Sequence, residues 1–135
     1  MSTMSQTKLF LIDDDETMLS LLCTLLGIEG FDVKKSKNLD DPTKILANIE
    51  AELPDLVLLD VHMQQYSGFD LLHLIRKSEK ANHIQVLMSS GMDVGKRCTD
   101  EGADGFILKP YMPEDLIHII QKLLALGNQP IESEQ

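Results

Sequence analysis

Residues 9–17, LFLIDDDET, join a short apolar run to three consecutive aspartates. The apolar part, residues 9–12, is typical of a buried strand, and the aspartates follow where that strand would end. Two carboxylates about 4 Å apart repel each other by roughly 4 kcal/mol at an effective dielectric constant of about 20. The stretch therefore predicts either that these side chains diverge into water or that a cation lies between them.

Strand-like apolar runs alternate five times with helix-like segments along the chain. The first, third and fourth runs are almost continuous Leu, Ile, Val and Met, as expected when helices cover both faces of a sheet. This alternation predicts an α/β fold built on a doubly wound, mostly parallel sheet. The five predicted strands are residues 9–13, 31–36, 56–60, 85–89 and 106–109.

The predicted helices have recognisable start and stop signals. The first covers residues 16–29, and Asp41-Pro42 offers a cap and a first-turn proline for the second. Ser67 with Asp70 resembles a capping box at the start of the third. The fourth and fifth helices are predicted over residues 94–101 and 113–127.

Polar side chains that could do chemistry come where the predicted strands end. Ligands of doubly wound sheets bind beyond the carboxyl ends of the strands, at the point where the strand order reverses. The sequence therefore predicts a site at this edge, made of three carboxylates, one hydroxyl and one ammonium group. These groups belong to Asp13, Asp14, Asp60, Ser90 and Lys109.

Length and composition limit the kinds of protein this chain can be. The 135 residues fit one domain with a real core, and 12 basic against 22 acidic residues give a net charge of −10. This charge disfavours a nucleic-acid or anionic-membrane surface, because such surfaces need clustered Lys and Arg. No apolar run approaches the roughly 20 residues of a membrane span, and the first residues lack a secretion signal. Cys23 and Cys98 lack metal-type spacing, so a reducing cytoplasm is expected.

The chain resembles the receiver domain of bacterial two-component response regulators over roughly residues 7–127. The likeness rests on four motifs that occur in the order typical of the family. They are an acidic pair after the first strand, a strand that ends in the phosphorylated aspartate, a hydroxyl after the fourth strand and a Lys-Pro pair. The motifs read Asp13-Asp14, PDLVLLD at 54–60, VLMSSG at 86–91 and GADGFILKP at 102–110.

The resemblance implies a fold and a set of roles. The fold would be flavodoxin-like, with five parallel strands in the order 2-1-3-4-5 and helices on both faces. Asp60 would accept a phosphoryl group from a phosphohistidine, Lys109 would neutralise one phosphoryl oxygen, and Ser90 would donate a hydrogen bond to another. Ser90 and Phe106 would then form a switch that alters the surface of the fourth helix, fifth strand and fifth helix.

The resemblance also implies a Mg²⁺ site, with Mn²⁺ as an alternative cation. Asp14, Asp60 and the backbone carbonyl of His62 would bind the ion, and Asp13 would bind directly or through water. Such a set suits Mg²⁺, which is usually held by one or two carboxylates together with water and phosphate oxygens. Asp15 is expected to help start the first helix instead.

Domain organisation and partners follow from the same likeness. We expect a disordered segment at residues 1–6, a receiver domain at 7–127 and a short polar tail at 128–135, in a chemotaxis-regulator-like single-domain form. The protein would be a signalling phosphoacceptor that promotes its own phosphoryl transfer and dephosphorylation, and not otherwise an enzyme. Its partners would be a sensor histidine kinase or phosphotransfer protein and a downstream protein effector, with no nucleic acid and no membrane. A cytoplasmic monomer or weak dimer is expected.

Several positions depart from the common pattern of the family, and two other functions stay open. Gln64 stands where proline is common, Gly91 where alanine is common and Phe106 where tyrosine is common, and Phe106 could also be an ordinary core residue. A phosphorylation-independent pseudo-receiver is one alternative. The other is a haloacid-dehalogenase-type phosphatase that would use Asp13 as nucleophile and Asp15 as general acid. That family also needs a downstream acidic pair at a strand end, which this chain lacks.

Overall fold

The computed structural model describes residues 6–36 and 40–127, in which five strands and five helices alternate. The strands are β1 Lys8–Ile12, β2 Asp32–Lys35, β3 Leu56–Asp60, β4 Gln85–Ser90 and β5 Gly105–Leu108. The helices are α1 Glu16–Ile28, α2 Pro42–Glu52, α3 Gly68–Lys77, α4 Gly95–Glu101 and α5 Pro113–Gly127. Every predicted strand and helix is present, and the predicted ends differ from these by at most one residue.

All five strands pair in parallel to form one sheet in the order β2-β1-β3-β4-β5. This confirms the predicted five-stranded, flavodoxin-like fold. The order reverses at β1, because the chain first adds β2 on one side of β1 and then β3 on the other. The carboxyl ends of β1 and β3 therefore lie side by side, which is where ligands of such sheets bind.

Both faces of the sheet are covered, and successive strand residues alternate between them. On the first face, Val57 and Val86 pack against α2, α3 and α4; we call it the α2–α4 face. On the second, Leu58 and Leu87 pack against α1 and α5; we call it the α1/α5 face. Because both faces are covered, all five residues of β3 are buried, which explains the apolar run at 56–59 that precedes Asp60.

Side chains cap the first three helices. Asp15 and Asp41 accept backbone hydrogen bonds at the starts of α1 and α2. Ser67 and Asp70 form the predicted capping box at the start of α3, in which each side chain accepts from the backbone of the other residue. No side chain caps α4, whose N-cap residue is Val94.

Parts of the predicted domain organisation lie outside the described residues. The segment at 1–6 is outside them except for Gln6, and so is the whole tail at 128–135. Within residues 6–36 and 40–127, no helix combines the length and the apolar character that crossing a membrane requires.

Candidate functional site

Three of the predicted site residues meet at the carboxyl edge of the sheet. The Nζ atom of Lys109 lies 2.9 Å from Oδ2 of Asp13 and 3.6 Å from Oδ2 of Asp60. Asp13 follows β1, Asp60 ends β3 and Lys109 follows β5, so parallel pairing brings distant parts of the chain to one edge. Both carboxylates are buried, with 7% of Asp13 and 8% of Asp60 exposed.

The charges in this cluster shift one another's pKa. Burial raises the pKa of Asp60, and the nearby carboxylate of Asp13 raises it further, whereas Lys109 opposes the change. For Lys109, burial lowers the pKa, but its hydrogen bond to Asp13 and the two negative charges outweigh burial and leave it raised. The ammonium group therefore stays protonated at neutral pH and balances part of the negative charge.

A backbone amide binds the oxygen of each carboxylate that does not contact the ammonium group. The N–H of Asp15 donates to Oδ1 of Asp13 at 2.9 Å, and the N–H of His62 donates to Oδ1 of Asp60 at 3.4 Å. The carboxylate of Asp15 accepts from the N–H of Met18 instead, at 3.0 Å, and caps α1 as expected. Asp13 is thus held more tightly than Asp60.

Gly68 allows the start of α3 to approach the end of β3. Its N–H donates to the carbonyl of Val61 at 2.7 Å. A Cβ atom at position 68 would collide with the backbone carbonyl oxygen of Asp60. Only glycine can be accommodated there without moving the backbone that carries the Asp60 carboxylate.

The other predicted site residues lie around this cluster without joining it. Asp14 is half-buried and lines a cavity of about 240 Å³ together with Asp40, Gln64 and Gln65. Ser90 is completely buried at the end of β4, where its Oγ accepts from the N–H of Met92 at 3.0 Å. The backbone N–H of Lys109 donates to the carbonyl of Ser90 at 2.8 Å. Within the described ranges, no side-chain hydrogen bond or ion pair connects Asp14 or Ser90 to the ammonium group of Lys109.

The surroundings of Asp14 are strongly acidic. The hydroxyl of Tyr66 is buried and has no hydrogen-bond partner in the part of the chain that the structure describes. Burial together with the charges of Asp14, Asp40 and Asp41 raises the pKa of Tyr66 to about 12. This excess of negative charge would favour a cation near Asp14.

Phe106 packs between the sheet and the start of α4. It is half-buried on the α2–α4 face, next to Val94. Its Cδ2 atom lies 3.0 Å from the position that a Cβ atom of Gly95 would occupy, so the ring touches the first turn of α4. The ring is on the same face of the sheet as Ser90, because Met88 and Phe106 are register partners on that face.

Sequence reasoning missed one polar residue at this edge, Ser89. It is 1% exposed and is the register partner of Asp60 on the neighbouring strand. Leu87, two residues earlier, faces α1 and α5, so strand alternation places Ser89 on that face as well. The alternation of side chains along β4 could have shown which face Ser89 lies on. Identifying Asp60 as its neighbour also requires the register between β3 and β4, which the sequence does not give.

The chemistry of the donor set fits a small, hard cation. Among residues 6–36 and 40–127, no group of three or more His, Cys, Asp or Glu side chains is arranged around a metal position. Mg²⁺ does not need such a group, because one or two carboxylates with water complete its octahedron. Asp13 and Asp60 already direct carboxylate oxygens at a single positive charge, the ammonium group of Lys109.

Comparison with known proteins identifies relatives over most of the chain. The family model described as response regulator receiver domain matches residues 9–121. The transcriptional regulatory protein CpxR homolog of Haemophilus influenzae is 36% identical over 126 residues, which cover 92% of this chain and 53% of that protein. The DNA-binding response regulator MtrA of Mycobacterium tuberculosis is 29% identical over 133 residues, or 98% of this chain and 57% of that protein. The chain spans about half the length of these relatives.

Solved structures share the fold. A response regulator receiver domain protein (CheY-like) from Methanospirillum hungatei superposes with a TM-score of 0.80 at 27% identity, covering 91% of this chain and 97% of that one. The chemotaxis response regulator CheY4 of Vibrio cholerae gives a TM-score of 0.79 at 22% identity, covering 88% and 99%. Neither these proteins nor the matched family supports the phosphatase or the pseudo-receiver alternative.

Proposed function

The chain belongs to the response regulator receiver domain family, and from this membership we propose that it accepts a phosphoryl group on Asp60 and signals by protein contact. The donor would be a phosphohistidine on a sensor histidine kinase or a phosphotransfer protein. The observation that supports this proposal best is the ammonium group of Lys109, which lies 3.6 Å from the buried carboxylate of Asp60. Phosphoryl transfer depends mainly on positioning and on neutralising charge, and this cluster supplies both.

The proposed reaction is a direct displacement at phosphorus. A carboxylate oxygen of Asp60 forms the new P–O bond while the P–N bond to the donor imidazole breaks, and the imidazole leaves with the electron pair and takes up a proton. Lys109 neutralises one phosphoryl oxygen. Attack by water on the aspartyl phosphate would regenerate Asp60 and release inorganic phosphate, so the protein would reset itself without being an enzyme for another substrate.

Mg²⁺ is the cation that these residues would hold, with Mn²⁺ as a second candidate. Asp13, Asp14 and Asp60 would provide carboxylate oxygens, and His62 would provide its backbone carbonyl. When bound, the ion supplies positive charge that offsets the phosphoryl oxygens. The acidic cavity beside Asp14 supports this assignment, because it leaves negative charge that Lys109 does not balance.

The proposed output is a change in the surface formed by α4, β5 and α5. A phosphoryl group adds up to about two negative charges. The Oγ of Ser90 accepts from the N–H of Met92, which leaves its own proton free to be donated to a phosphoryl oxygen. Movement of Ser90 would open space for Phe106 on the same face, and the ring of Phe106 touches the start of α4.

The proposed partners are proteins. The relatives include proteins named as transcriptional and DNA-binding regulators, and those names describe proteins about twice as long as this chain. For the 135 residues themselves we propose contacts with a kinase or phosphotransfer protein and with a protein effector, because a net charge of −10 opposes contact with nucleic acid or anionic lipid. We further propose that the chain acts in the cytoplasm as a monomer or weak dimer.

The test is intact-mass spectrometry after incubation with acetyl phosphate and Mg²⁺. We expect the wild type to gain the mass of one phosphoryl group and the Asp60→Asn variant to gain none. Peptide mapping of the labelled wild type should place the group on Asp60. A wild type that stays unlabelled while a known receiver is labelled in parallel, or a label on Asp13, would overturn the proposal.

A further inference from the structure

Ser89 and Asp60 are neighbours on the sheet. They are register partners on β4 and β3, and neighbouring strands lie about 4.8 Å apart. Leu87 and Leu58, each two residues earlier, both belong to the cluster on the α1/α5 face. Alternation along the strands therefore puts the side chains of Ser89 and Asp60 on the same face, next to each other.

The side chain of Ser89 has a hydroxyl group that is not engaged. Only 1% of the residue is exposed, and none of the side-chain hydrogen bonds within residues 6–36 and 40–127 involves it. The three residues before it, Val86, Leu87 and Met88, are apolar and completely buried. Its oxygen still reaches solvent at the carboxyl edge of the sheet, because among the described residues only the hydroxyl of Tyr66 is both fully buried and unpartnered. The hydroxyl of Ser89 is therefore available to donate to a neighbouring group.

Asp60, in turn, is held more loosely than its neighbour Asp13. The two contacts of the Asp60 carboxylate measure 3.4 Å to the N–H of His62 and 3.6 Å to Lys109. The two corresponding contacts of Asp13 both measure 2.9 Å. The carboxylate that has to attack is thus the one with the weaker restraints, and the adjacent donor that is not in use belongs to Ser89.

We propose that Ser89 is a positioning residue for Asp60: rotation about its Cα–Cβ bond lets its Oγ–H donate a hydrogen bond to the Asp60 carboxylate. This inference rests on the proposed function of Asp60 as the phosphoacceptor. The bond fixes the plane of the carboxylate when Lys109 turns from Asp60 to a phosphoryl oxygen, so the attacking oxygen keeps its direction.

The two adjacent serines then have separate tasks. The side chain of Ser90 lies on the opposite face, with Phe106, and its Oγ is engaged by the N–H of Met92. Ser90 is therefore suited to donate a hydrogen bond to the phosphoryl group after transfer. Ser89 lies on the face of the attacking carboxylate and acts before transfer.

The first test compares variants at position 89 by the rate at which acetyl phosphate labels Asp60, measured by intact mass at several donor concentrations. Ser89→Ala removes the hydroxyl without adding volume. Ser89→Thr and Ser89→Val have the same shape and differ in the hydroxyl, so their comparison separates hydrogen bonding from packing. We expect Ala and Val to lower the maximal rate by about tenfold with little change in the half-saturating donor concentration, and Thr to be faster than Val.

The second test measures Mg²⁺ binding to the unphosphorylated protein by titration calorimetry. Partners that orient a metal-binding carboxylate typically contribute about 10- to 100-fold in metal affinity. We therefore expect Mg²⁺ to bind at least about tenfold more weakly to the Ala and Val variants than to the wild type. Ser78→Ala, which removes another buried serine hydroxyl at the far end of α3, should bind Mg²⁺ like the wild type.

The outcomes separate this inference from the function on which it rests. If the wild type is labelled on Asp60 and the Ala and Val variants match it in both rate and Mg²⁺ affinity, the role of Ser89 is refuted and the proposed function stands. If the wild type is not labelled on Asp60, the proposed function fails, and the role of Ser89 toward the phosphoacceptor fails with it.

Discussion

Lys109 is closer to Asp13 than to Asp60, at 2.9 Å against 3.6 Å from its Nζ atom to the nearest carboxylate oxygen. Asp13 also receives the hydrogen bond, so it is the residue that fixes where the ammonium group lies. Asp60, the residue proposed to accept the phosphoryl group, therefore lies beside the positive charge of Lys109, and Asp13 holds that charge in place. This division of roles leads to the first prediction.

Asp13→Asn should slow the phosphorylation of Asp60 by about 10- to 100-fold, because a partner that orients a catalytic charge contributes an effect of that size. The amide side chain is neutral and would let Lys109 move toward Asp60. The measurement is the rate of labelling by acetyl phosphate at saturating Mg²⁺, followed by intact mass.

Asp15→Asn is the matched control for this change. Its carboxylate caps α1 and does not contact Lys109, and asparagine is an equally good cap. Labelling of Asp15→Asn should stay within about twofold of the wild type. Equal rates for Asp13→Asn and the wild type would refute the role assigned to Asp13.

Asp60→Asn should stabilise the unphosphorylated protein at neutral pH when Mg²⁺ is absent. The folded-state pKa of Asp60 is raised by burial and by Asp13, so its charged form is less favourable in the folded than in the unfolded chain. The stabilising contribution of the protonated form is complete below the unfolded pKa of about 4 and is lost as pH rises through the folded pKa. The gain in melting temperature of Asp60→Asn over wild type should therefore grow from about pH 4 upwards.

Asp41→Asn should show the opposite pH dependence. Hydrogen bonds from the side chain and backbone of Thr43 lower the pKa of Asp41 below its usual value. Its charged form therefore stabilises the fold above the unfolded pKa, and this contribution is lost as pH falls through the folded pKa. Melting curves across the acidic and neutral range test both variants. Parallel trends for the two would contradict the opposite pKa shifts of Asp60 and Asp41.

Gly68→Ala should destabilise the protein by about 1–3 kcal/mol, because the new Cβ atom collides with the backbone carbonyl of Asp60 and forces β3 and α3 apart. The measurement is the free energy of unfolding in urea. Gly27→Ala is the control, since a Cβ atom there meets nothing within 4 Å. In α1 that change should instead stabilise by up to about 1 kcal/mol. A neutral Gly68→Ala would mean that α3 has room to move away from β3 at little cost.

Arg76→Lys should destabilise the protein by about 2–3 kcal/mol, since one ammonium group cannot replace a guanidinium bound to several acceptors. Arg76 donates to the carbonyls of Gly102, Asn82 and Ile84 and to the carboxylate of Asp104. It thereby links α3 to the segments that precede β4 and β5. Urea unfolding again provides the measurement.

Arg97→Lys is the comparison for Arg76→Lys. Arg97 is largely exposed and lies 4.1 Å above the ring of Phe69, a contact worth about 0.5–1 kcal/mol that lysine partly keeps. Its replacement should therefore cost less than that of Arg76. Similar costs for the two variants would show that the network around Arg76 contributes little to stability.

The strands and helices were predictable because their patterns are local. Both ends of β3 were predicted correctly, because burial on both faces requires a run of apolar residues. The start of α3 was predicted from the capping box of Ser67 and Asp70. The strand order was inferred from the resemblance to the receiver family, since order depends on contacts between distant segments that periodicity does not record. The structure confirms it.

The sequence predicted which residues lie together at the carboxyl ends of the strands, but not the distances between their side chains. Parallel strands bring Asp13, Asp60 and Lys109 to one edge, and the structure places them there. That Lys109 prefers Asp13 depends on differences of less than 1 Å across 96 residues of chain. Ser89 was overlooked because a run of buried residues does not reveal which one lies beside Asp60 until the register with β3 is known.

The shortness of α4 has a mechanical consequence. A helix of seven residues without a side-chain cap does not persist in water by itself, so its coiling depends on what packs against it. Its first turn rests on the ring of Phe106. We expect that withdrawing the ring would fray the helix, so a binding partner would meet a surface that differs in amide-exchange protection as well as in shape.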